Sequence, residues 1–186
     1  TINELSFNTA FKTPFEICMS LFKASGACDL KAVINSQHEF DKHDTIASQA
    51  VIFSFQYAMA RLLKSIGVQP DFVAGHSLGQ YAASVSAGII KLDDAITLVT
   101  SRAKALKKID NIGSMMAIGE PEDVCKVLLA KAHSALEIAA INSPKQTIVS
   151  GNHHDIKLFK SYLERSGINY SLVDVQFPFH SRYVDQ

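Results

Sequence analysis

Asp71-Phe72-Val73-Ala74-Gly75-His76-Ser77-Leu78-Gly79 joins a short apolar run to a G-x-S-x-G turn. Behind it lies the turn Gly67-Val68-Gln69-Pro70, and after it the small-residue run Tyr81-Ala82-Ala83-Ser84-Val85-Ser86-Ala87. The pattern predicts a strand over 71–74, a tight turn with Ser77 at its apex, and a helix. A turn that tight leaves no room for side chains on its flanks, so both Gly75 and Gly79 are expected to be required. It lifts the Ser77 hydroxyl out of the backbone and aims the first helical N–H groups at an oxyanion. The bland alternative is a Gly-rich strand–helix turn with an incidental serine.

Upstream, Phe15, Met19 and Phe22 recur at helical spacing over 14–25, with Leu21 beside them and Pro14 suited to a first helical turn. The stretch 37–44 is polar and reads as a loop. Over 46–66, Ala50, Phe53, Tyr57, Ala60 and Leu63 mark a long helix with one buried face, which Gly67 ends. Downstream, a helix starts at Leu92-Asp93-Asp94 and ends in Lys104, Lys107 and Lys108, charges that suit the helix dipole at both ends. Its apolar face reads Ala95, Leu98, Val99, Leu106 and Ile109. Arg102 falls on that same face. A guanidinium heading inward needs an anion. Two readings stay open: a stem that snorkels to water or pairs with an internal acid, or a group that forks onto a substrate carboxylate.

Residues 113–175 change character. Strands are expected over 114–118, 136–141, 147–150 and 170–175, with helices over 121–132 and 154–166. Asn142-Ser143-Pro144-Lys145 makes the turn between the middle strands. The βαββαβ order describes a ferredoxin-like unit, inserted because the candidate chemistry resumes after it at Phe177-Pro178-Phe179-His180-Ser181.

Composition bounds the rest. The chain has 186 residues, 47% hydrophobic and 19% charged, with zero formal net charge. That describes a soluble globular protein with no electrostatic footprint for nucleic acid. No apolar run reaches the length of a membrane span, and no signal-peptide pattern opens the chain. The three cysteines, Cys18, Cys28 and Cys125, have no metal-ligand spacing and imply free thiols in a reducing, cytoplasmic setting. Of seven histidines, His133, His153 and His154 sit at polar helix ends or loops, and His38 and His43 in the polar loop. His76 lies inside the turn and could brace it. His180 is left as the partner of Ser77, following it in chain order as the base does in α/β hydrolases. The adjacent His153-His154 pair has no further ligands near it to suggest a metal.

Several separate stretches together resemble the malonyl-CoA:acyl carrier protein transacylase family, which includes the acyltransferase domains of polyketide synthases. They are Gly75-His76-Ser77-Leu78-Gly79-Gln80-Tyr81-Ala82-Ala83; Gln49 with Phe55-Gln56-Tyr57-Ala58; Ala87-Gly88 through Leu92-Asp93-Asp94-Ala95 to Ser101-Arg102; Asn142-Ser143-Pro144 with Val149-Ser150-Gly151; and Phe177-Pro178-Phe179-His180-Ser181. The resemblance implies an α/β fold, with an α/β-hydrolase-like core over 1–111, a ferredoxin-like subdomain over 112–175, and a return to the core over 176–186. It implies that Ser77 is the acylated nucleophile and His180 its base, a dyad without a third carboxylate. It makes Arg102 the group that grips a malonyl carboxylate, and His76 and Gln49 residues that line or support the site. Asn142 would lie close to the cleft, and the Leu78 N–H would be an oxyanion donor. The implied reaction moves malonyl from CoA to the phosphopantetheine thiol of an acyl carrier protein. CoA and the carrier are substrates, no bound cofactor or metal is expected, and neighbouring synthase domains are the other expected partners, with no nucleic acid and no membrane.

Phe179 would crowd an α-methyl group, so malonyl is expected over methylmalonyl, although Phe177 and Pro178 depart from the usual His-Ala-Phe-His form. Gln80 replaces a common glutamate, and Ala50 a common proline. A Gly-Gln-Gly opening strand, the strands after His180 and a late glutamine near the site are not in these residues. The chain is therefore expected to be an ordered part of a longer domain, poorly active if truncated. The alternatives are an acyl hydrolase clearing carrier proteins and a decayed docking domain. The hydrolase should lack the gripping arginine; the decayed domain should not keep Ser77, His76, Arg102 and His180 together. A generic lipase or esterase explains the turn but not Arg102.

Overall fold

The computed structural model describes residues 2–5, 7–35, 41, 44–109 and 112–184. His38 and His43, most of the polar loop expected over 37–44, and Asn111, expected to end the first domain, lie outside the described residues. The chain divides into two compact units, Thr1–Lys107 and Lys108–Gln186.

The first unit is helical. Its elements are α1 (Ile2–Leu5), α2 (Thr9–Ala24), α3 (Leu30–Asn35), α4 (Thr45–Ser65), α5 (Gly79–Ser86) and α6 (Leu92–Lys107). Asn8 caps α2, its side chain accepting from the Ala10 N–H, so the helix begins five residues before Pro14. Pro14 thus sits inside α2 rather than in its first turn. Asp44 caps α4 by accepting from the N–H groups of Ile46 and Ala47 at 3.0 and 3.3 Å. Phe22, Leu30, Ala50, Phe53, Leu78, Ala82, Ala95, Ile96 and Val99 form the core of this unit, with Phe11, Phe15 and Ala58 in a second cluster.

Two stripes differ from expectation. The buried face of α6 is Ala95, Ile96, Val99, Thr100, Ala103 and Leu106, while Leu98 is exposed. The face is rotated toward small residues because α4 and α2 approach closely there. On α4 the buried set ends at Ala58, and Leu63 is exposed. In the last two turns Met59 and Leu62 still pack, partly buried, against the cluster of Phe11 and Phe15.

The strand expected over 71–74 does not form. A strand is defined by its ladder, and no described segment pairs with these residues, whose Phe72 is 93% exposed.

The second unit is the α/β part. Its order is β1 (Gly113–Ile118), α7 (Glu122–Lys131), β2 (Glu137–Ser143), β3 (Gln146–Asn152), α8 (His153–Ser166), β4 (Tyr170–Val173) and a 3-10 turn at Arg182–Val184. The four strands lie in the order β2-β3-β1-β4, each pair antiparallel. Met116, Ile118 and Val149 of the sheet pack with Cys125, Leu129, Phe159 and Leu163 of the two helices. Asn142 and Ser143 belong to β2, so the turn narrows to Pro144-Lys145. Gly113 is a close approach that the sequence does not announce. A Cβ there would lie 2.2 Å from the Gly151 carbonyl oxygen and 2.9 Å from Pro178.

Candidate active site

The turn before α5 has the backbone of a strained apex. Ser77 sits at φ 50°, the left-handed region that a residue with a Cβ rarely adopts. Such strain persists where the surroundings over-determine it. Here they do: a Cβ at Gly75 would lie 2.4 Å from the Gln80 nitrogen and from the Gly79 carbonyl. Only glycine lets the chain double back so closely. Gly79 is different. A Cβ there would meet only the Gln56 Nε2, at an ordinary 3.7 Å, so the expectation that both glycines are sterically required holds for Gly75 alone.

The turn closes on itself through Gly79 N–H to the His76 carbonyl (2.9 Å), Gln80 N–H to Ser77 (3.1 Å) and Tyr81 N–H to Leu78 (3.2 Å). The Leu78 N–H stands outside this set, at the position where an oxyanion donor is expected. The Leu78 side chain is buried in the core and anchors the turn, while His76 is exposed.

Arg102, from α6, reaches this turn. Its Nη2 donates to the Ser77 Oγ at 3.2 Å, and its Nη1 donates to the Gln49 Oε1. Gln49 is buried on α4 and donates through Nε2 to the Thr45 Oγ1 at 2.7 Å. Three elements therefore converge: α4 supplies Thr45 and Gln49, α6 supplies Arg102, and the turn supplies Ser77. Burial pulls the guanidinium below its ordinary value, and Tyr81 works in the opposite direction. Arg102 stays cationic, since arginine keeps its proton in proteins. Chemically, this is a serine hydroxyl beside a fixed, partly desolvated cation.

In the second unit, His180 follows the buried Phe177 and Pro178 and is itself exposed at φ 57°. Its loop is pinned on both sides. Ser181 donates its hydroxyl to the Pro178 carbonyl at 2.6 Å, and the Asn152 Nδ2 donates to the Tyr183 hydroxyl at 2.8 Å. Glu137 accepts from the Arg182 backbone N–H at 2.6 Å and from its Nε at 2.9 Å. Phe177 and Phe179 lie with ring centroids 5.4 Å apart. Asn142 is exposed on β2, its Nδ2 donating to the Gln146 Oε1 at 3.4 Å.

Of the residues singled out from sequence, the structure brings Ser77, Arg102 and Gln49 into one hydrogen-bonded group. His180, Phe179 and Asn142 belong to the second unit. Thr45, Glu137 and Arg182 were not foreseen. Thr45 could have been found from its place four residues before Gln49 on a helix; the Glu137–Arg182 pair spans 45 residues and carries no local signal. Among the described residues no group of three or more His, Cys, Asp or Glu is placed to hold a metal ion, and no helix is long and apolar enough to cross a membrane.

Comparison with known proteins adds four findings. A family model described as the acyl transferase domain matches residues 4–186. Atrochrysone carboxylic acid synthase of Passalora fulva is 35% identical over 167 residues, which is 89% of this chain and 9% of the relative. Among solved structures, the acyl transferase domain of SpnD in complex with 2-(pent-4-yn-1-yl)malonyl superposes with a TM-score of 0.84 at 28% identity, covering 96% of this chain and 42% of that one. The acyl-carrier-protein S-malonyltransferase of Burkholderia pseudomallei 1710b gives 0.80 at 28% identity, with 92% and 58% covered. The chain thus spans a small fraction of the curated synthase and about half of the solved domains.

Proposed function

This chain belongs to the acyl transferase domain family, and from that premise we propose that it moves a malonyl unit from CoA to the phosphopantetheine thiol of an acyl carrier protein. One observation carries the reading: the Arg102 guanidinium is held against the Ser77 hydroxyl, with Gln49 fixing its far side. A malonyl ester on Ser77 has its free carboxylate one methylene beyond the ester carbonyl. A cation beside the nucleophile is where that carboxylate needs a partner, and a guanidinium meets it with two parallel donors.

The steps follow from the side chains. His180 takes the Ser77 hydroxyl proton as the oxygen attacks the thioester carbonyl. The Leu78 N–H stabilises the resulting oxyanion. The carbon–sulfur bond breaks, and the imidazolium returns the proton to the departing CoA sulfur. The carrier thiol then gives its proton to His180 and attacks the acyl-serine, and Ser77 leaves with that proton. His76 flanks the nucleophile and would line or support the site, and Asn142 would lie close to the cleft. Phe179 crowds an α-methyl group, a preference for malonyl over methylmalonyl worth about 1–3 kcal/mol.

The same reading extends to architecture. The βαββαβ unit with strand order β2-β3-β1-β4 supports a ferredoxin-like subdomain over 112–175. Residues 1–111 would then belong to the α/β-hydrolase-like core, to which they supply helices, and 176–186 would carry His180 back to it. The partners are malonyl-CoA, a carrier protein and the neighbouring domains of a larger synthase, in the cytoplasm.

Intact-protein mass spectrometry of the full-length protein with malonyl-, methylmalonyl- and acetyl-CoA tests this. A malonyl adduct lost in Ser77→Ala and in Arg102→Ala supports malonyl transfer. Acetyl labelling indifferent to Arg102 favours a hydrolase or starter-unit enzyme, and no adduct from any donor favours a decayed site.

A further inference from the structure

An arginine has only donors to offer, so the Gln49 atom that faces Arg102 must be Oε1. That choice turns the amide nitrogen of Gln49 the other way. It points at the Thr45 hydroxyl, 2.7 Å away, and that hydroxyl must then accept. Thr45 and Gln49 are each only 5% exposed, so water does not substitute for either partner. Removing the hydroxyl would leave a buried N–H unanswered, a state proteins avoid by moving the side chain. Gln49 has three rotatable bonds, and the bond to Thr45 is what selects one arrangement among them.

Helix α4 makes the contact local. Asp44 caps the helix and sets Thr45 as its first residue, which puts the hydroxyl one turn from Gln49 on the same face. A relay results, buried at Thr45 and Gln49 and partly buried beyond, running Thr45 to Gln49 to Arg102 to Ser77.

We propose that Thr45 is a positioning residue for Arg102, and that through Gln49 it sets how strongly the site prefers a donor bearing a free carboxylate. The proposal rests on the malonyl-transfer reading of Arg102. Thr45 touches neither substrate nor nucleophile. It acts by keeping the Gln49 carbonyl turned toward Nη1, so that the Nη2 side of the guanidinium stays with the acyl group on Ser77.

The test compares acyl loading of the full-length protein by malonyl-CoA and acetyl-CoA, with kcat and KM measured for each. The variants are Thr45→Val, Thr45→Ser and Arg102→Ala. Valine keeps the shape and loses the acceptor; serine keeps the acceptor. Thr45→Val should raise the KM for malonyl-CoA about fivefold to tenfold, the scale of one buried hydrogen bond, and leave acetyl loading within about twofold. Thr45→Ser should restore the wild-type ratio of the two donors. A Thr45→Val protein that loses both donors equally, or neither, overturns the proposal. Arg102→Ala separates the two levels. If it abolishes the malonyl preference while Thr45→Val keeps it, only Thr45 loses its role. If Arg102→Ala keeps the preference, the reading of Arg102 fails and the proposal fails with it.

Discussion

The Arg102 Nη2 lies 3.2 Å from the Ser77 Oγ, a cation donating to the hydroxyl that the turn presents. Because Nη1 is engaged by Gln49 at the same time, the guanidinium plane is fixed by two partners on two elements. Lysine cannot reproduce that. It offers a point charge on a flexible stem and no planar fork. Arg102→Lys should therefore recover only part of the malonyl loading that Arg102→Ala loses. A full recovery in a loading-rate comparison would mean that charge alone, without geometry, serves the site.

The two glycines of the G-x-S-x-G turn should behave in opposite ways. A methyl at Gly75 would overlap backbone atoms at 2.4 Å, and backbone cannot swing aside as a side chain can. Gly75→Ala should abolish Ser77 acylation and lower the melting temperature of the protein. Gly79 opens α5 and has room for a methyl, so Gly79→Ala should keep acylation and stabilise the helix by about 0.5–1 kcal/mol. Mass spectrometry and thermal melts of the pair check both. Equal damage from the two alanines would show that the turn is constrained by something other than the contact at Gly75.

How much of this was legible in the sequence depends on distance along the chain. Helix α6 was found at its start because Asp93 and Asp94 mark the first turn and Lys104 and Lys107 the last, all local signals. The order of strands and helices over 113–175 was legible for the same reason: each element carries its own period. What failed was what depends on a partner. The run 71–74 reads as a strand by composition, yet a strand is a property of a pair. Leu98 looked buried because the apolar period of α6 does not say which side its neighbours approach. At the site, Ser77 and Arg102 could be nominated separately, but their contact joins residues 25 positions apart. The Gly113–Gly151 approach and the Glu137–Arg182 pair are of the same kind: ordinary residues made special by where the sheet brings them.

Cys18 should be inert in the native protein and should weaken it only in alkali. Burial pushes its thiol up to about 12, against an ordinary 9.0, with the Ser54 hydrogen bond opposing. At pH 8 the thiolate fraction is then roughly one in ten thousand. Native protein treated with iodoacetamide at pH 8 should leave Cys18 unlabelled, and protein in urea should label it. The sign of the stability effect follows from which state ionises first. Below pH 9 both states hold the proton and nothing changes. Between pH 9 and about 12 the unfolded thiol ionises while the folded one does not, so stability falls by about 1.4 kcal/mol per pH unit from this group. Cys18→Ala should flatten that part of the alkaline unfolding profile, and an unchanged profile would sink the assignment.

Glu137 should matter to acyl loading although it lies 45 positions from Arg182. Its two oxygens grip both the backbone N–H and the guanidinium of Arg182, two residues past His180. As a surface ion pair this contact is weak, because the two side chains are 59% and 35% exposed and water screens them. The bond to the backbone N–H is what matters, since it sets where the chain leaves a histidine held at φ 57°. Small displacements of a catalytic group slow reactions far more than they destabilise folds. Glu137→Ala should therefore slow Ser77 acylation about tenfold while costing less than about 1 kcal/mol of stability. Glu137→Gln keeps an acceptor for the backbone N–H and should recover most of the rate. Arg182→Ala keeps that N–H and should resemble Glu137→Gln, not Glu137→Ala. If instead Arg182→Ala is as slow as Glu137→Ala, the guanidinium and not the backbone bond holds the loop. If all three variants load at the wild-type rate, the Glu137–Arg182 contact does not position the loop of His180, and the burial of Phe177 and Pro178 with the Ser181 and Tyr183 hydrogen bonds suffices.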